Sequence, residues 1–256
     1  MKLKQYLYER LPQETRNKIR RKYGGTLAFM AKGIPFWGNL DVLAMVFGTD
    51  KNLGHNYTRH YAKHFKKFRF RRVKLFEIGV GGYDDPLTGG QSLRMWKKYF
   101  PFGQIISLDL YDKSQLQENR IKIYRGSQND PQILDKISAE CGNEFDLIID
   151  DGSHINEHVI ATFKLLFPKL KEGGIYVIED LQTSYWDDFG GNNKDFRNSE
   201  TSINFVKSLV DGLNHVEYRI PNYQPTYFDL NITEIHFYHN IVFIYKAKND
   251  EKSNVL

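Results

Sequence analysis

The sequence contains a single cysteine, Cys141, among its 256 residues. An intramolecular disulfide is therefore excluded, and so is any metal site that needs two or more thiolates. Such low cysteine usage fits a reducing compartment, in which a lone cysteine is more often a small buried hydrophobe than a nucleophile.

Long apolar runs are also missing. No stretch approaches the roughly 18 apolar residues of a membrane-spanning helix, and the opening MKLKQYLYERLPQETR lacks the apolar centre of a secretion signal. We therefore expect a cytoplasmic protein. The composition, 41% hydrophobic and 26% charged, is that of a globular chain with one sizeable core and appendages.

Positive charge is concentrated in two segments. Residues 1–33 carry nine Lys or Arg against two Glu, and residues 58–76 carry eight against no acid. The remaining residues carry a net negative charge, although the net charge of the whole chain is +5. Localised cations suggest attraction to an anionic membrane leaflet, a lipid-linked sugar phosphate or nucleic acid. The simpler alternative is a solvated helix face. Residues 1–23 are predicted to be helical, and surface binding, an oligomer contact and packing against the body stay open for them.

Two apolar runs stop abruptly at pairs of carboxylates. The runs are FDLIIDDGSH, Phe145–His154, and IYVIEDL, Ile175–Leu181. Short apolar runs of this kind are typical of buried parallel strands, whose carboxyl ends share one edge of a sheet. The carboxylates at these ends are Asp150, Asp151, Glu179 and Asp180. Four such groups repel one another unless protons or a cation neutralise them, and a divalent metal with oxygen ligands is the economical interpretation.

A strand, a glycine turn and a helix follow one another in VKLFEIGVGGYDDPLTGG and the residues after it. The strand is predicted at Val73–Val80 and the helix at Ser92–Phe100. The spacing E-x-G-x-G-G starts at Glu77 and lacks the third glycine of a dinucleotide fingerprint, so the motif by itself is weak. The next strand ends with Asp109, which can bind two ribose hydroxyls, or alternatively cap the following turn with Asp112.

Further elements complete the pattern of an α/β protein. RIKIYRGSQND predicts a third strand and a polar turn, in which Ser127 and Gln128 can hydrogen-bond an adenine edge. TSYWDDFGGNNKDFRNSE is predicted to be an acceptor-binding lid. ITEIHFYHNIVFIYKAK predicts an antiparallel hairpin around His239 and Asn240. We therefore predict a doubly wound, mostly parallel, seven-stranded Rossmann-like sheet with a C-terminal antiparallel hairpin.

An aromatic stripe lies before the first strand. Tyr57, Tyr61, Phe65 and Phe68 share one helical face, which indicates core packing rather than a cofactor site. In the same segment, His60 and His64 have the i, i+4 spacing of a zinc pair. Because no carboxylate motif accompanies them, we interpret both as surface or second-shell histidines.

Several motifs together resemble one family. EIGVGGYDDPLTGGQS, RGSQND, IIDDGSH and EDLQTSYWDDFGG are similar to motifs of the metal-dependent sugar O-methyltransferases of macrolide biosynthesis, the mycinamicin and macrocin type. This family belongs to the class I S-adenosylmethionine-dependent methyltransferases. The resemblance runs from about Gly48 to Gly191, and the paired DDGSH and EDLQTSYW segments are its most specific part. It implies a methyltransferase domain at residues 48–256 that follows a basic helical extension at residues 1–47.

The resemblance also implies a site and its cofactors, S-adenosylmethionine and Mg²⁺. The implied magnesium ligands are Asp151, Glu179 and Asp180. His154 is implied as the general base, with Asp151 as the alternative, and Asp150 is expected to be structural. The residues implied around S-adenosylmethionine are Glu77, Gly79, Gly81, Tyr83, Ser92, Asp109, Ser127 and Gln128.

The expected acceptor is a sugar hydroxyl of a glycosylated metabolite, a glycolipid or a polysaccharide precursor. The resemblance implies a homo-oligomer, and the basic N-terminus suits a lipid-linked acceptor at a membrane surface. Longer relatives carry an additional N-terminal domain for which the residues before Gly48 leave no room, so we expect the acceptor pocket and the assembly to differ. The alternatives are a methyltransferase of another small molecule or of nucleic acid, an NAD-linked oxidoreductase, and a catalytically silent scaffold. Base-stacking motifs are absent, which argues against a nucleic-acid partner.

Overall fold

The computed structural model describes residues 38–253 of the chain. Seven strands form one sheet: β1 Lys74–Ile78, β2 Gln104–Asp109, β3 Ile121–Arg125, β4 Phe145–Asp150, β5 Leu170–Ile178, β6 Ile232–Tyr238 and β7 Ile241–Lys246. Their order across the sheet is β3-β2-β1-β4-β5-β7-β6. Strands β1 to β5 pair in parallel, whereas β7 pairs antiparallel with both β5 and β6. The predicted doubly wound sheet and its terminal hairpin are confirmed.

Helices precede the sheet and alternate with its strands. They are α1 Leu40–Phe47, α2 Asp50–Leu53, α3 Thr58–Phe65, α4 Gln91–Tyr99, α5 Pro131–Glu140, α6 Asn156–Leu166, α7 Ser202–Gly212 and α8 Tyr227–Asn231. The predicted helix over residues 1–23 lies outside the described residues. Within residues 38–253, no helix combines the length and the apolar character needed to cross a bilayer.

A hydrophobic core covers each face of the sheet, because successive residues of a strand point to opposite faces. Leu75 of β1 packs on one side in the same cluster as Trp96 of α4, while Phe76 packs on the other side with Phe163 of α6. Leu40 and Leu43 of α1 belong to the first cluster. Helix α1 thus shares the core of the sheet although it precedes the predicted domain boundary after residue 47, and the division itself stays a prediction.

The aromatic stripe packs in this first cluster, as predicted. Tyr57, Tyr61, Phe65 and Phe68 are all buried. His64 is buried as well, with 4% of its surface exposed, and it stacks on Phe243 of β7 at 4.2 Å between ring centroids. The surface alternative for His64 is therefore wrong, because α3 packs this side chain against the C-terminal hairpin.

Candidate active site

Three neighbouring strands end at the same level of the sheet. Ile78 of β1 lies opposite Asp150 of β4, and Asp150 lies opposite Ile178 of β5. The residues that follow these positions therefore leave the sheet side by side, as the sequence predicted. They are Gly79, Asp151 and the pair Glu179 and Asp180.

Three side chains at this edge come close enough to share one metal ion. Ligand atoms of Asp151, His154 and Asp180 all lie within 4.8 Å of one another. His154 Nε2 is 3.6 Å from Asp180 Oδ2 and 3.9 Å from Asp151 Oδ1. Both His154 and Asp180 have positive φ angles, 57° and 55°, so the backbone turns sharply at each of them. This grouping unites the predicted base with two of the three predicted metal ligands.

Glu179, the third predicted ligand, is directed elsewhere in this structure. Its Oε1 accepts hydrogen bonds from Lys51 Nζ, at 2.6 Å, and from the Tyr61 hydroxyl. The side chain is buried, and burial together with the negative charge of Asp151 raises its pKa well above the ordinary value. Glu179 therefore borders the cluster of Asp151, His154 and Asp180, and its role as a metal ligand stays a prediction.

Lys51 is a site residue that sequence reasoning missed. Only 1% of its surface is exposed, and its Nζ lies 2.7 Å from Asp151 Oδ2, 2.6 Å from Glu179 Oε1 and 3.2 Å from Glu77 Oε1. Burial alone would lower the pKa of Lys51, but the three carboxylates hold it well above its ordinary value. The segment GTDKNLGHNY gives no local sign of this role, because every carboxylate partner is distant in sequence.

Two further side chains from the same segment bind Asp180. The Tyr57 hydroxyl donates a 2.7 Å hydrogen bond to Oδ1, and His55 Nδ1 lies 3.3 Å from the same oxygen. Burial by itself would raise the pKa of Asp180, but the Tyr57 hydrogen bond and the proximity of His154 and His55 hold it below its ordinary value. Asp180 is therefore favoured in its ionised form, which is the form that binds a cation.

Asp150 points into the protein and is held by Gln128. The Gln128 Nε2 donates to Asp150 Oδ1 at 3.1 Å and to Thr162 Oγ1 at 3.1 Å, and its Oε1 accepts from the Ser153 N–H at 2.7 Å. Burial raises the pKa of Asp150 to about 7. The geometry agrees with the expected structural role of Asp150. It also commits the Gln128 amide to internal bonds, so its contact with an adenine stays a prediction.

The glycine turn after β1 packs directly against the Asp151 backbone. Gly79 has a φ of 95°, and a Cβ placed there would lie 2.1 Å from the Asp151 carbonyl oxygen. Gly81 also has a positive φ, 78°, but a Cβ there would meet nothing within 4 Å. Asp109 borders the turn, since its Oδ2 accepts from the Val80 N–H at 2.9 Å. Its Oδ1 accepts from the Tyr111 N–H, also at 2.9 Å.

The other predicted cofactor residues surround this turn. Glu77 is fully buried, which raises its pKa to about 7, while Lys51 and Ser92 favour its ionised form. Tyr83 is 84% exposed at the far end of the turn. Ser127 donates through its hydroxyl to Asn129 Oδ1 at 2.6 Å, beyond β3. All of these lie at or near the carboxyl ends of β1, β2 and β3, where doubly wound sheets bind nucleosides.

The donor set of this edge fits the implied groups. Carboxylate oxygens of Asp151 and Asp180 are the hard ligands that Mg²⁺ prefers, and His154 lies beside them. The open space beside Gly81 leaves room for a nucleoside next to that cluster. The carboxylate of Asp109, at the edge of the same turn, offers it a hydrogen-bond partner. The arrangement therefore suits a metal and a nucleoside cofactor bound side by side.

No family model matches the chain, but individual proteins are similar to it. Mycinamicin VI 2″-O-methyltransferase of Micromonospora griseorubida is 50% identical over 77% of this chain and 49% of its own length. Demethylmacrocin O-methyltransferase of Streptomyces fradiae is 46% identical over 85% of this chain and 51% of its own length. The chain thus spans about half the length of these curated relatives.

Solved structures give the same relationship. MycE methyltransferase from the mycinamycin biosynthetic pathway, in complex with Mg and SAH, has a TM-score of 0.81 and 48% identity over 84% of this chain and 56% of its own. The same enzyme has also been solved with Mg, SAH and mycinamycin VI, and there the TM-score is 0.80 at 47% identity, over 84% of this chain and 55% of that one. The predicted resemblance is therefore confirmed: the chain has a methyltransferase fold and is a homologue of proteins named mycinamicin VI 2″-O-methyltransferase and demethylmacrocin O-methyltransferase.

Proposed function

We propose that this protein transfers a methyl group from S-adenosylmethionine to a sugar hydroxyl in a magnesium-dependent reaction. The observation that carries the proposal is the close grouping of Asp151, His154 and Asp180 at the carboxyl ends of β4 and β5, beside the glycine turn of β1. Relatives named mycinamicin VI 2″-O-methyltransferase and demethylmacrocin O-methyltransferase, and a related structure complexed with Mg and SAH, support the same reaction.

Asp151 and Asp180 would hold the magnesium ion, and Glu179 is proposed as its third protein ligand. When bound, the ion supplies Lewis acidity that favours ionisation of an acceptor hydroxyl. The hydrogen bond from Tyr57 and the contact with His55 fix Oδ1 of Asp180, and Oδ2 is left on the side of His154. The protein thus presents an oriented, ionised carboxylate rather than a mobile one.

His154 is proposed as the general base. It stands between Asp151 and Asp180, and 22% of its side-chain surface is exposed, so a substrate can reach it. Histidine is the side chain most often used to accept a proton in a transition state. The flanking carboxylates, 3.9 and 3.6 Å from Nε2, would stabilise the imidazolium that forms when it takes the hydroxyl proton. Asp151 is the alternative base.

The cofactor is proposed to lie against the glycine turn, with Asp109 on its ribose hydroxyls. The Val80 and Tyr111 N–H groups hold the Asp109 carboxylate at the edge of the turn. Because the same turn packs on the Asp151 backbone through Gly79, the cofactor and acceptor sides of the site are fixed relative to each other. Holding two reactants in a fixed mutual orientation lowers the barrier of a reaction between them.

The acceptor is proposed to be a glycosylated metabolite or a lipid-linked sugar that approaches under the segment after β5. Trp186 and Phe196 of this segment are 50% and 62% exposed, and they offer rings on which a sugar or an apolar aglycone can pack. The buried Asn156 holds the segment, since its Nδ2 donates to the carbonyls of Thr183 and Phe189. Membrane contact through residues 1–33 and a homo-oligomer remain part of the proposal.

Calorimetric titration tests the cofactor first. S-adenosylmethionine and S-adenosylhomocysteine are titrated into the metal-free protein, then into the protein with Mg²⁺, and then into Asp109→Asn. Micromolar binding is expected, and Asp109→Asn should weaken it at least tenfold. Asp112→Asn is the matched control, because Asp112 is exposed and accepts a 2.9 Å hydrogen bond from the Ser114 N–H, away from the glycine turn. Absence of binding to both ligands would contradict the proposal; binding would justify a screen of glycosylated acceptors.

A further inference from the structure

A buried lysine lies between three carboxylates at the carboxyl edge of the sheet. The Lys51 ammonium contacts one carboxylate from each of three neighbouring strand ends: Glu77 of β1, Asp151 after β4 and Glu179 after β5. The chain reaches this position through α2, which is short and precedes the sheet in sequence. An ammonium group has no free electron pair and cannot be a metal ligand itself, so the position of Lys51 needs a separate explanation.

The charges explain why a cation is needed here at all. Glu77 and Glu179 are buried, and Asp151 is only partly exposed, so water screens their mutual repulsion poorly. A buried lysine with three carboxylates offsets its own cost of desolvation, whereas three carboxylates without it would separate or take up protons. In this structure the ammonium therefore occupies the place of a counter-cation.

The same contacts would make Lys51 compete with a bound metal for its ligands. Two of the three proposed magnesium ligands, Asp151 and Glu179, each give an oxygen to Lys51. An oxygen that accepts a short bond from an ammonium is less available to Mg²⁺, and two cations that share the same carboxylates repel each other. By contrast, Asp180 is bound by neutral Tyr57 and by His55, and Lys51 does not contact it in the part of the chain that the structure describes.

We propose that Lys51 is a built-in counter-cation: it keeps the carboxylates of the site assembled before Mg²⁺ binds, and it competes with Mg²⁺ for Asp151 and Glu179. This inference rests on the proposed function, since it assumes that the metal binds at these carboxylates. Lys51 is a positioning residue in this scheme, and the competition lowers magnesium affinity in exchange for an ordered metal-free site.

The test compares the whole chain with Lys51→Met, which keeps a linear side chain, one heavy atom shorter than that of lysine, and removes its charge. In the absence of metal, Lys51→Met should have a lower Tm, because the carboxylates lose their neutralising partner. Titration with MgCl₂ should give a dissociation constant that is about tenfold tighter than that of the wild type, and a larger Mg²⁺-induced rise in Tm. Lys51→Arg retains the charge and should keep magnesium affinity near that of the wild type.

Lys113→Met is the matched control. Lys113 is as buried as Lys51, but its Nζ donates to the backbone carbonyls of Asp85 and Thr88, at 2.7 and 3.0 Å. Its loss should lower Tm and leave the magnesium dissociation constant unchanged. Equal or weaker magnesium binding by Lys51→Met would overturn the competition. If neither the wild type nor any of the variants binds Mg²⁺, the competition is also excluded, and the metal must be removed from the proposed function.

A measurement on the wild-type protein covers the case in which Lys51→Met does not fold. The ammonium resonance of Lys51 in ¹⁵N-lysine spectra, assigned with Lys51→Arg, should shift or broaden when MgCl₂ is added. The resonance of Lys113 should not change. An unperturbed Lys51 resonance at saturating Mg²⁺ would show that the ammonium does not share its carboxylates with the metal, and the inference would fail.

Discussion

The hydroxyl of Tyr57 donates a 2.7 Å hydrogen bond to Oδ1 of Asp180, across 123 positions of sequence. The tyrosine precedes α3, and the aspartate follows β5 in a backbone conformation with a φ of 55°. The phenol ring packs in the core while its oxygen reaches the site. Packing of α3 on the sheet therefore sets the orientation of a proposed metal ligand.

Tyr57→Phe removes this hydrogen bond and keeps the ring. We expect magnesium affinity to fall about 10- to 100-fold, as is typical when the partner of a metal ligand is lost. Stability should change little, because the ring remains buried. Calorimetric titration of MgCl₂ measures the effect, and Tyr245→Phe serves as the control, since its hydroxyl contacts His64 rather than a site carboxylate. Equal losses in both variants would indicate a general effect on α3.

His154→Gln tests the proposed base. The imidazole lies within 4 Å of both Asp151 and Asp180. His154 does not cap the helix that follows, because this helix begins at Asn156 and its N-cap residue is Ile155. We therefore expect turnover to fall about 10²- to 10⁴-fold, while binding of S-adenosylhomocysteine and Mg²⁺ persists. His158→Gln is the control, because His158 contacts Ser153 on the neighbouring turn of the chain. Near-normal turnover in His154→Gln would move the role to Asp151.

The sheet was predictable from the sequence because its central strands, such as β1 and β4, are buried on both faces. Strands of this kind appear as short apolar runs, and the polar residue that ends each run marks the edge of the sheet. Asp109, Asp151 and Asp180 were placed at the correct edge in this way. The hairpin was predictable for a similar reason, since His239 and Asn240 separate two β-rich runs.

The partners of these carboxylates could not be predicted. Lys51 and Tyr57 precede the first strand, and they reach the site only because α2 and α3 fold over the ends of β4 and β5. Tyr61 shows why periodicity fails here: its ring fits the core stripe, as predicted, and its hydroxyl also binds Glu179. A pattern of apolar spacing describes the ring and carries no information about the hydroxyl.

Gly79→Ala should disturb the site more than Gly81→Ala. An alanine at either position must adopt a positive φ, which costs about 1 to 2 kcal/mol. At Gly79 the new Cβ would also lie 2.1 Å from the Asp151 carbonyl oxygen, whereas at Gly81 it meets nothing within 4 Å. We expect Gly79→Ala to lose more stability in urea unfolding and to weaken Mg²⁺ binding, because the Asp151 backbone must move. Equal stability losses would show that the contact relaxes without cost.

Gln128→Leu should destabilise the fold rather than only the cofactor site. The leucine leaves the buried Asp150 carboxyl and the Ser153 N–H without their amide partner. A buried group left without its hydrogen bond costs about 1 to 3 kcal/mol, and more when it is charged. Urea unfolding measures the loss, and the exposed Gln132→Leu should change stability by less than about 0.5 kcal/mol. If stability is unchanged and only S-adenosylmethionine binding falls, Gln128 acts on the cofactor directly.

The buried His64 should make stability depend on pH. Its ring nitrogens contact the hydroxyls of Tyr245 and Tyr238, at 2.6 and 2.9 Å. Burial, followed by the positive charge of His236, lowers the pKa of His64 from 6.5 to about 4. Smaller contributions in the same direction come from Lys63, His60 and Lys67.

Between pH 6.5 and about 4, the unfolded chain therefore binds a proton at this position that the folded protein does not. The resulting contribution to stability is fully present above pH 6.5 and is lost as the pH falls through this window. His64→Gln retains a polar side chain and removes the titration, so its free energy of unfolding should decline less steeply on acidification. Urea unfolding of both proteins at several pH values measures the two slopes, and titration of the carboxylates cancels in their difference. Parallel slopes would mean that His64 is protonated in the folded protein as readily as in the unfolded chain.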